Sequence, residues 1–217
     1  MSDILKENKQ FWQKCFADSD FDSKPPPGKN ILEVIKRLQE YQAHKVLDLG
    51  CGFGRWSIAL AQVGFQVKAV DISSEAIKRV QKWAKQEDVF VETEVCSASE
   101  FISSGESFDA IICNSVLDHM LFIETSKTML NIENILKPGG IAYISFDGLE
   151  EEDEKEFVLL EDGTSRYISG KRKGMLWRFY SDKEIKTLCK GVEILEFTVR
   201  SNGKRDVWIR KKENNFA

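Results

Sequence analysis

The segment Val46-Leu-Asp-Leu-Gly-Cys-Gly-Phe-Gly-Arg55 sets Gly50, Gly52 and Gly54 at alternate positions directly after a short apolar run. Glycine accepts positive φ and carries no Cβ, so a turn built this way bends sharply and lets a ligand lie against its backbone. Two carboxylates flank it. Asp71 ends the next apolar run, 21 residues after Gly50, where a carboxylate can accept hydrogen bonds from both hydroxyls of an adenosine ribose. Asp48 either joins that site or orders the glycine turn through backbone hydrogen bonds, and Arg55 either pairs with an acid or is a solvated helix residue. Two common phosphate-binding patterns are excluded. Residue 55 is arginine where G-x-G-x-x-G requires a third glycine, and no Gly-Lys-Ser or Gly-Lys-Thr follows the turn.

Proton-transfer chemistry has its candidates in Asp118 and His119, just past the apolar run Phe108–Cys113. The alternative for His119 is a capping or packing role. The other histidine, His44, precedes the first strand-like run and reads as structural. Two distant histidines make no metal site. The five cysteines are scattered and never form a C-x-x-C pair, which argues against zinc or a disulfide framework and for a reducing compartment. The polar start Met1-Ser-Asp-Ile-Leu-Lys-Glu7 is unlike a signal peptide, and no apolar stretch approaches the ~20 residues of a spanning helix. A cytosolic location without membrane association is the expectation. The net charge of -4 argues against a constitutive nucleic-acid binder.

The elements that must position these residues follow from periodicity. Ile31, Val34, Ile35 and Leu38 mark one helix face; Trp56, Ala59, Leu60 and Val63 a second; Ala76, Ile77, Val80 and Ala84 a third. Strands are expected over 45–49, 66–70, 89–95, 108–113 and 141–146, with a long helix at 118–136 stopped by Lys137-Pro-Gly-Gly140. Alternation of this kind implies parallel crossovers and a sheet covered on both faces. The segments after the strands, Gly50–Gly54, Asp71, Cys96–Ser99 and Asn114–His119, should then meet at one edge. Beyond Phe146 the alternation fails. Asp162-Gly-Thr164 suggests a hairpin, Ser181-Asp-Lys-Glu184 a capping box, and Asn202-Gly203 a closing antiparallel pair.

Taken in order, Val46–Gly54, Asp71, Phe108-Asp109, Leu117–His119 and Lys137-Pro-Gly-Gly140 resemble the motif series of class I S-adenosylmethionine-dependent methyltransferases, across roughly Ile31 to Phe146. The resemblance implies an α/β, Rossmann-like, doubly wound seven-stranded sheet, mostly parallel with an antiparallel C-terminal hairpin. It implies S-adenosylmethionine as the cofactor. Gly50 and Gly52 line its amino-acid part, and Asp48, Cys51 and Arg55 are expected among the cofactor-binding residues. Asp71 takes the ribose hydroxyls, Ile72 packs on the adenine, Ser97 and Ala98 reach the adenine edge, and Asn114 and Ser115 sit near the methionine moiety. Many members carry an acid where this chain has Ser97, whose hydroxyl accepts without charge assistance.

One methyltransferase domain is expected: a cap segment over 1–30, a cofactor-binding core over 31–147, an insertion and acceptor-side lid over 148–180, and a closing helix and hairpin over 181–217. Trp177, Arg178, Phe179 and Tyr180 either line an acceptor pocket or pack beneath a hairpin. Phe11, Trp12 and Phe16 either lid the cofactor or simply pack. The Glu150–Glu156 run reads as a solvated loop. A small-molecule methyl acceptor is the leading expectation, because nucleic-acid amino methyltransferases usually show Asn/Asp-Pro-Pro-aromatic where this chain has Asn114-Ser-Val-Leu117. A nucleic-acid or protein methyltransferase and a catalytically silent S-adenosylmethionine-binding module are the alternatives. Asp118 and His119 would act as base if the acceptor is protonated.

Overall fold

The computed structural model describes residues 3–19, 30–148 and 157–213. The acidic run Glu150–Glu156 noted above lies outside the described residues. Helix α1 (Asp3–Asp18) is followed by α2 (Ile31–Glu40), β1 (Lys45–Leu49), α3 (Arg55–Gln62), β2 (Gln66–Asp71), α4 (Ser74–Gln86), β3 (Val91–Val95) and β4 (Phe108–Asn114). A single 3₁₀ turn (Leu117–His119) leads to α5 (Phe122–Ile135) and β5 (Leu136–Phe146). Three short strands come next, β6 (Phe157–Leu159), β7 (Ser165–Tyr167) and β8 (Leu176–Trp177), and the chain closes with α6 (Asp182–Leu188), β9 (Glu193–Val199) and β10 (Arg205–Arg210).

The main sheet has seven strands in the order β3-β2-β1-β4-β5-β10-β9. The pairs among β3, β2, β1, β4 and β5 are parallel, and β10 runs antiparallel to both β5 and β9. Alternate residues along the strands feed two apolar layers. Val46, Ala69, Ile112 and Tyr143 pack with α2, α3 and α4 on one face. Leu47, Val70, Ile111 and Ile144 pack with α5 and α6 on the other. Ile31, Val34, Ile35 and Leu38 on one face of α2 are all buried, as their spacing requires, while Leu32 lies off that face and is exposed. Ser73 caps α4, and Ser181 with Glu184 forms the expected capping box on α6.

Three expectations need correction. The helix foreseen over 118–136 is broken into the 3₁₀ turn, an extended Met120–Leu121 link and α5. Tertiary donors take the carbonyls that a continuous helix would use: Arg178 N–H donates to the Asp118 carbonyl at 2.7 Å, and Asn8 Nδ2 to the His119 carbonyl at 3.0 Å. β5 starts before Lys137-Pro-Gly-Gly140 rather than after it. Leu136 already pairs with Phe108, and the register shift that follows absorbs the glycines. The hairpin after residue 156 gains a third strand, β8, and forms a separate small antiparallel sheet.

Candidate active site

The loops after β1, β2, β3 and β4 converge on one cavity of about 320 Å³. Gly50, Cys51, Gly52, Phe53, Arg55 and Trp56 come from the glycine turn and α3; Asp71 and Ile72 follow β2. Cys96, Ser97, Ala98 and Glu100 follow β3, and Asn114, Ser115, Val116, His119, Met120 and Glu124 follow β4. Helix α1 covers the opening with Leu5, Asn8, Trp12 and Phe16.

At its floor the turn and Asp71 are locked together. Gly52 N–H donates to Asp71 Oδ2 at 2.9 Å, and Ser73 N–H to Oδ1 at 2.9 Å. Gly50 N–H and Cys51 N–H both reach the Val70 carbonyl, at 2.7 and 3.0 Å. Gly50, Gly52 and Gly54 all have positive φ. At Gly50 a Cβ would lie 2.4 Å from Val116 Cγ2, so this glycine is needed for close packing of the β4 loop. Gly52 has more room, with Phe16 Cζ 3.5 Å from its Cβ position. Burial raises the Asp71 carboxyl above its ordinary value, opposed by the backbone donors of Ser73, Gly52 and Ile72. A carboxylate has about four lone-pair sites, so these donors leave it acceptor capacity toward the cavity, which suits ligand hydroxyls. Burial, together with the carboxylates of Asp71 and Asp48, pushes the Cys51 thiol well up, so it stays protonated.

Asp48 belongs elsewhere. It is 1% exposed, is not part of the cavity wall and accepts from the Ser57 hydroxyl, so it anchors the start of α3 instead of meeting a ligand. Burial pushes its carboxyl up to about 7, against the lowering effect of Ser57 and with a further rise from Asp71. The unfolded chain releases this proton near pH ~4. Between there and about 7 the native state holds a proton that the unfolded state has lost, so this group's contribution to stability falls as pH rises through that window. The urea midpoint is therefore expected to drop between about pH 5 and about pH 8, and Asp48→Asn to flatten that slope. Equal slopes in the two proteins would contradict the assignment.

Asp118 is also turned away from the cavity. It is fully buried, and its Oδ2 accepts Asp147 N–H at 3.0 Å. Burial, then the nearby Asp147, raises its carboxyl well above the ordinary range, and its place outside the cavity wall leaves it ill positioned to take a proton from a ligand there. His119 does reach the wall. Its Nδ1 lies 3.1 Å from the Leu176 carbonyl, which makes Nδ1 the protonated nitrogen. Its ring meets Trp12 edge-on at 4.8 Å. Asn8 stitches α1 to this corner by donating to the His119 carbonyl and accepting from Leu176 N–H at 3.2 Å.

Ser115 occupies the left-handed region at φ 53 and is held from several sides. Its N–H donates to Ser145 Oγ at 2.9 Å, its hydroxyl donates to Asp147 Oδ1 at 3.0 Å, and Lys204 Nζ donates to that hydroxyl at 2.6 Å. Ser145 gives its own proton to Asn114 Oδ1 at 3.0 Å, leaving the Asn114 amino group as the donor on the cavity side.

Cys51, Arg55, Ile72, Ser97, Ala98, Asn114 and Ser115, all proposed from sequence, thus stand in the wall with Gly50, Gly52 and Asp71. Trp177, Arg178, Phe179 and Tyr180 do not. Trp177 packs with Tyr167 and Met175 in a satellite cluster, and Tyr180 is fully buried beside Phe146. Arg178 pairs with Glu184 at 2.7 Å, and Phe179 lies under Arg205. Sequence reasoning missed Leu5, Asn8, Glu100, Met120 and Glu124. The polar S-x-S-E stretch at 97–100 offered a signal for Glu100 only. Among the described residues no helix is long and apolar enough to cross a membrane, and no cluster of His, Cys, Asp and Glu could hold a metal.

Residues 46–140 match the methyltransferase-domain family, over the part of the chain that builds this wall. That match is to a methyltransferase domain and spans a little under half of the chain. It is 31% identical over 131 residues to a ubiquinone biosynthesis O-methyltransferase of Xanthomonas axonopodis pv. citri (strain 306), an alignment covering 59% of this chain and 54% of that protein. The chain thus matches about half the length of such curated relatives. Among solved structures, an S-adenosylmethionine-dependent methyltransferase from Methanosarcina mazei superposes with a TM-score of 0.70 at 22% identity, over 82% of this chain and 98% of that one. The 1,6-didemethyltoxoflavin-N1-methyltransferase of Burkholderia thailandensis superposes with a TM-score of 0.69 at 19% identity, over 97% and 88%. At these identities the superpositions speak to the fold.

Proposed function

We propose that this protein transfers a methyl group from S-adenosylmethionine to a small-molecule acceptor, working as one methyltransferase domain in the cytosol. The observation that carries the reading is the Asp71 carboxylate bonded to Gly52 N–H on the floor of a cavity roofed by α1. The residues present fit an adenosyl ligand. Asp71 offers acceptors for ribose hydroxyls, Ile72 and Ala98 offer an apolar bed for a purine, and Gly52 leaves its side of the wall bare.

When bound, S-adenosylmethionine supplies an electrophilic methyl group on a sulfonium. The protein's task is then chiefly to align an acceptor atom, since positioning alone can be worth effective molarities of about 10⁵ to 10⁸ M. Asn114 and Ser115 stand on a firmly braced strand end for that purpose. His119, with Nδ1 committed to a carbonyl, offers Nε2 as the nitrogen that takes a proton from a hydroxyl acceptor. The roof of Leu5, Asn8, Trp12 and Phe16 favours a compact acceptor over a polymer, which would need an open track. The relative named for ubiquinone biosynthesis and the structural neighbour named for toxoflavin chemistry support the same class of acceptor.

Calorimetric titration of the full chain with S-adenosylhomocysteine is expected to show one site. Incubation with S-adenosylmethionine and a panel of hydroxylated aromatic acceptors, amines, RNA and protein is expected to release S-adenosylhomocysteine with the small acceptors. No binding at millimolar ligand would overturn the donor assignment, and turnover confined to the polymers would overturn the acceptor class.

A further inference from the structure

His119 sits at the end of the single 3₁₀ turn, and the extended Met120 follows it. A turn of three residues has little internal bonding, so what packs against it decides where the imidazole lies. One buried side chain reaches both sides of that contact. Asn8, 7% exposed, donates from Nδ2 to the His119 carbonyl at 3.0 Å and accepts Leu176 N–H on Oδ1 at 3.2 Å. Leu176 in turn offers its carbonyl to His119 Nδ1 at 3.1 Å. The protons follow without choice. A carbonyl only accepts and a main-chain N–H only donates, so the amide has one orientation and Nδ1 carries the ring proton.

Leu176 belongs to β8, which ends the order β6-β7-β8, and its N–H and C=O point out of that sheet to Asn8 and His119. Buried main-chain groups of this kind need partners, and here the partners are one amide and one imidazole. Trp12, one helical turn beyond Asn8, meets the imidazole edge-on and limits its swing. The other link between β8 and the turn, Arg178 N–H to the Asp118 carbonyl, bears on the main chain of the preceding residue and not on the ring.

We propose that Asn8 is a positioning residue for the reaction: it holds the Leu176 carbonyl against His119 Nδ1, and so sets which imidazole nitrogen carries the proton and which is left to take one from an acceptor. The proposal rests on the reading of His119 as the proton-accepting group. It adds the residue, 111 positions earlier in the chain, that fixes the ring in the form this role needs.

Nitrogen-15 NMR of the ligand-free full chain reads the tautomer directly. The chain has two histidines. His44, whose N–H bonds to Asp109, is the internal reference, and His119→Asn assigns the other signal. At about pH 9, where an ordinary imidazole is neutral, wild-type His119 is expected to favour the Nδ1–H form by about tenfold or more. In Asn8→Ala that ratio should fall to about threefold or less, with His44 unchanged. Asn8→Asp can still accept Leu176 N–H but gives nothing to the His119 carbonyl, and should fall between. With the small acceptor that turns over in the panel above, Asn8→Ala should lower kcat by about tenfold and keep KM for S-adenosylmethionine within about twofold. Added to His119→Asn, it should cost nothing further. An unchanged tautomer in Asn8→Ala, a shift shared equally by His44, or a full further loss in the double variant overturns the proposal. His119→Asn at the wild-type rate, with the tautomer shift intact, overturns instead the proton-accepting role on which it rests.

Discussion

Alanine at position 71 is expected to weaken S-adenosylhomocysteine binding by about 100-fold or more. A hydrogen bond to a charged group is worth about 1.5–3 kcal/mol, and the carboxylate is placed to accept two from a ribose, so their loss amounts to about 3 kcal/mol at least. The variant also strands the Gly52 and Ser73 N–H groups, which donate to Asp71 at 2.9 Å each. Asp71→Asn should fall between wild type and alanine, because it keeps one carbonyl acceptor but no charge. Calorimetry on the three proteins, with thermal unfolding of each without ligand, separates loss of the ribose contacts from a loosened turn. An alanine variant within about threefold of wild-type affinity would contradict the assignment.

Gly52→Val is expected to abolish detectable binding and leave a cooperatively folded domain. Gly52 has φ 51, and its Cβ position lies 3.5 Å from Phe16 Cζ, an ordinary contact. The fold therefore has room for a Cβ, but the two γ-methyls of valine must occupy the space between the turn and α1, where the ligand would lie. A β-branched residue at positive φ adds strain of about 1–3 kcal/mol, which should lower Tm without removing the transition. Gly50 provides the contrast: there a Cβ would overlap Val116 Cγ2 at 2.4 Å, so substitution attacks the packing itself. Retained affinity in Gly52→Val, measured on protein that still unfolds cooperatively, would remove the case for close backbone approach.

The parts of the site that could be read from the chain are those fixed by strand order. Once β1, β2, β3 and β4 are parallel neighbours, the residues that follow each must share an edge, whatever their local preferences. Asp71, Ile72, Ser97, Asn114 and His119 could be placed in this way. Two carboxylates beside those positions were misread because spacing does not show which way a side chain turns. Asp48 alternates into the layer beneath the turn, and Asp118 is drawn inward because Arg178 and Asp147 engage it from across the fold. Of the residues contributed by α1, Trp12 and Phe16 could be read only as aromatics that either lid a ligand or pack, and Leu5 and Asn8 not at all. All of them meet the site only after a helix from the far end of the chain has docked, and no local pattern encodes that docking. Glu124 was hidden by the expectation of one unbroken helix; the break at Met120–Leu121 is what brings it to the cavity.

The small sheet formed by β6, β7 and β8 sends no aromatic into the cavity, yet it grips the turn that carries His119 through the main-chain groups of Leu176 and Arg178. Lengthening or shortening the connections around that sheet would slide the imidazole along the wall without altering any residue the ligand touches. The His119 side of the cavity can therefore be retuned at a distance, while the Asp71 side stays set by the parallel strands.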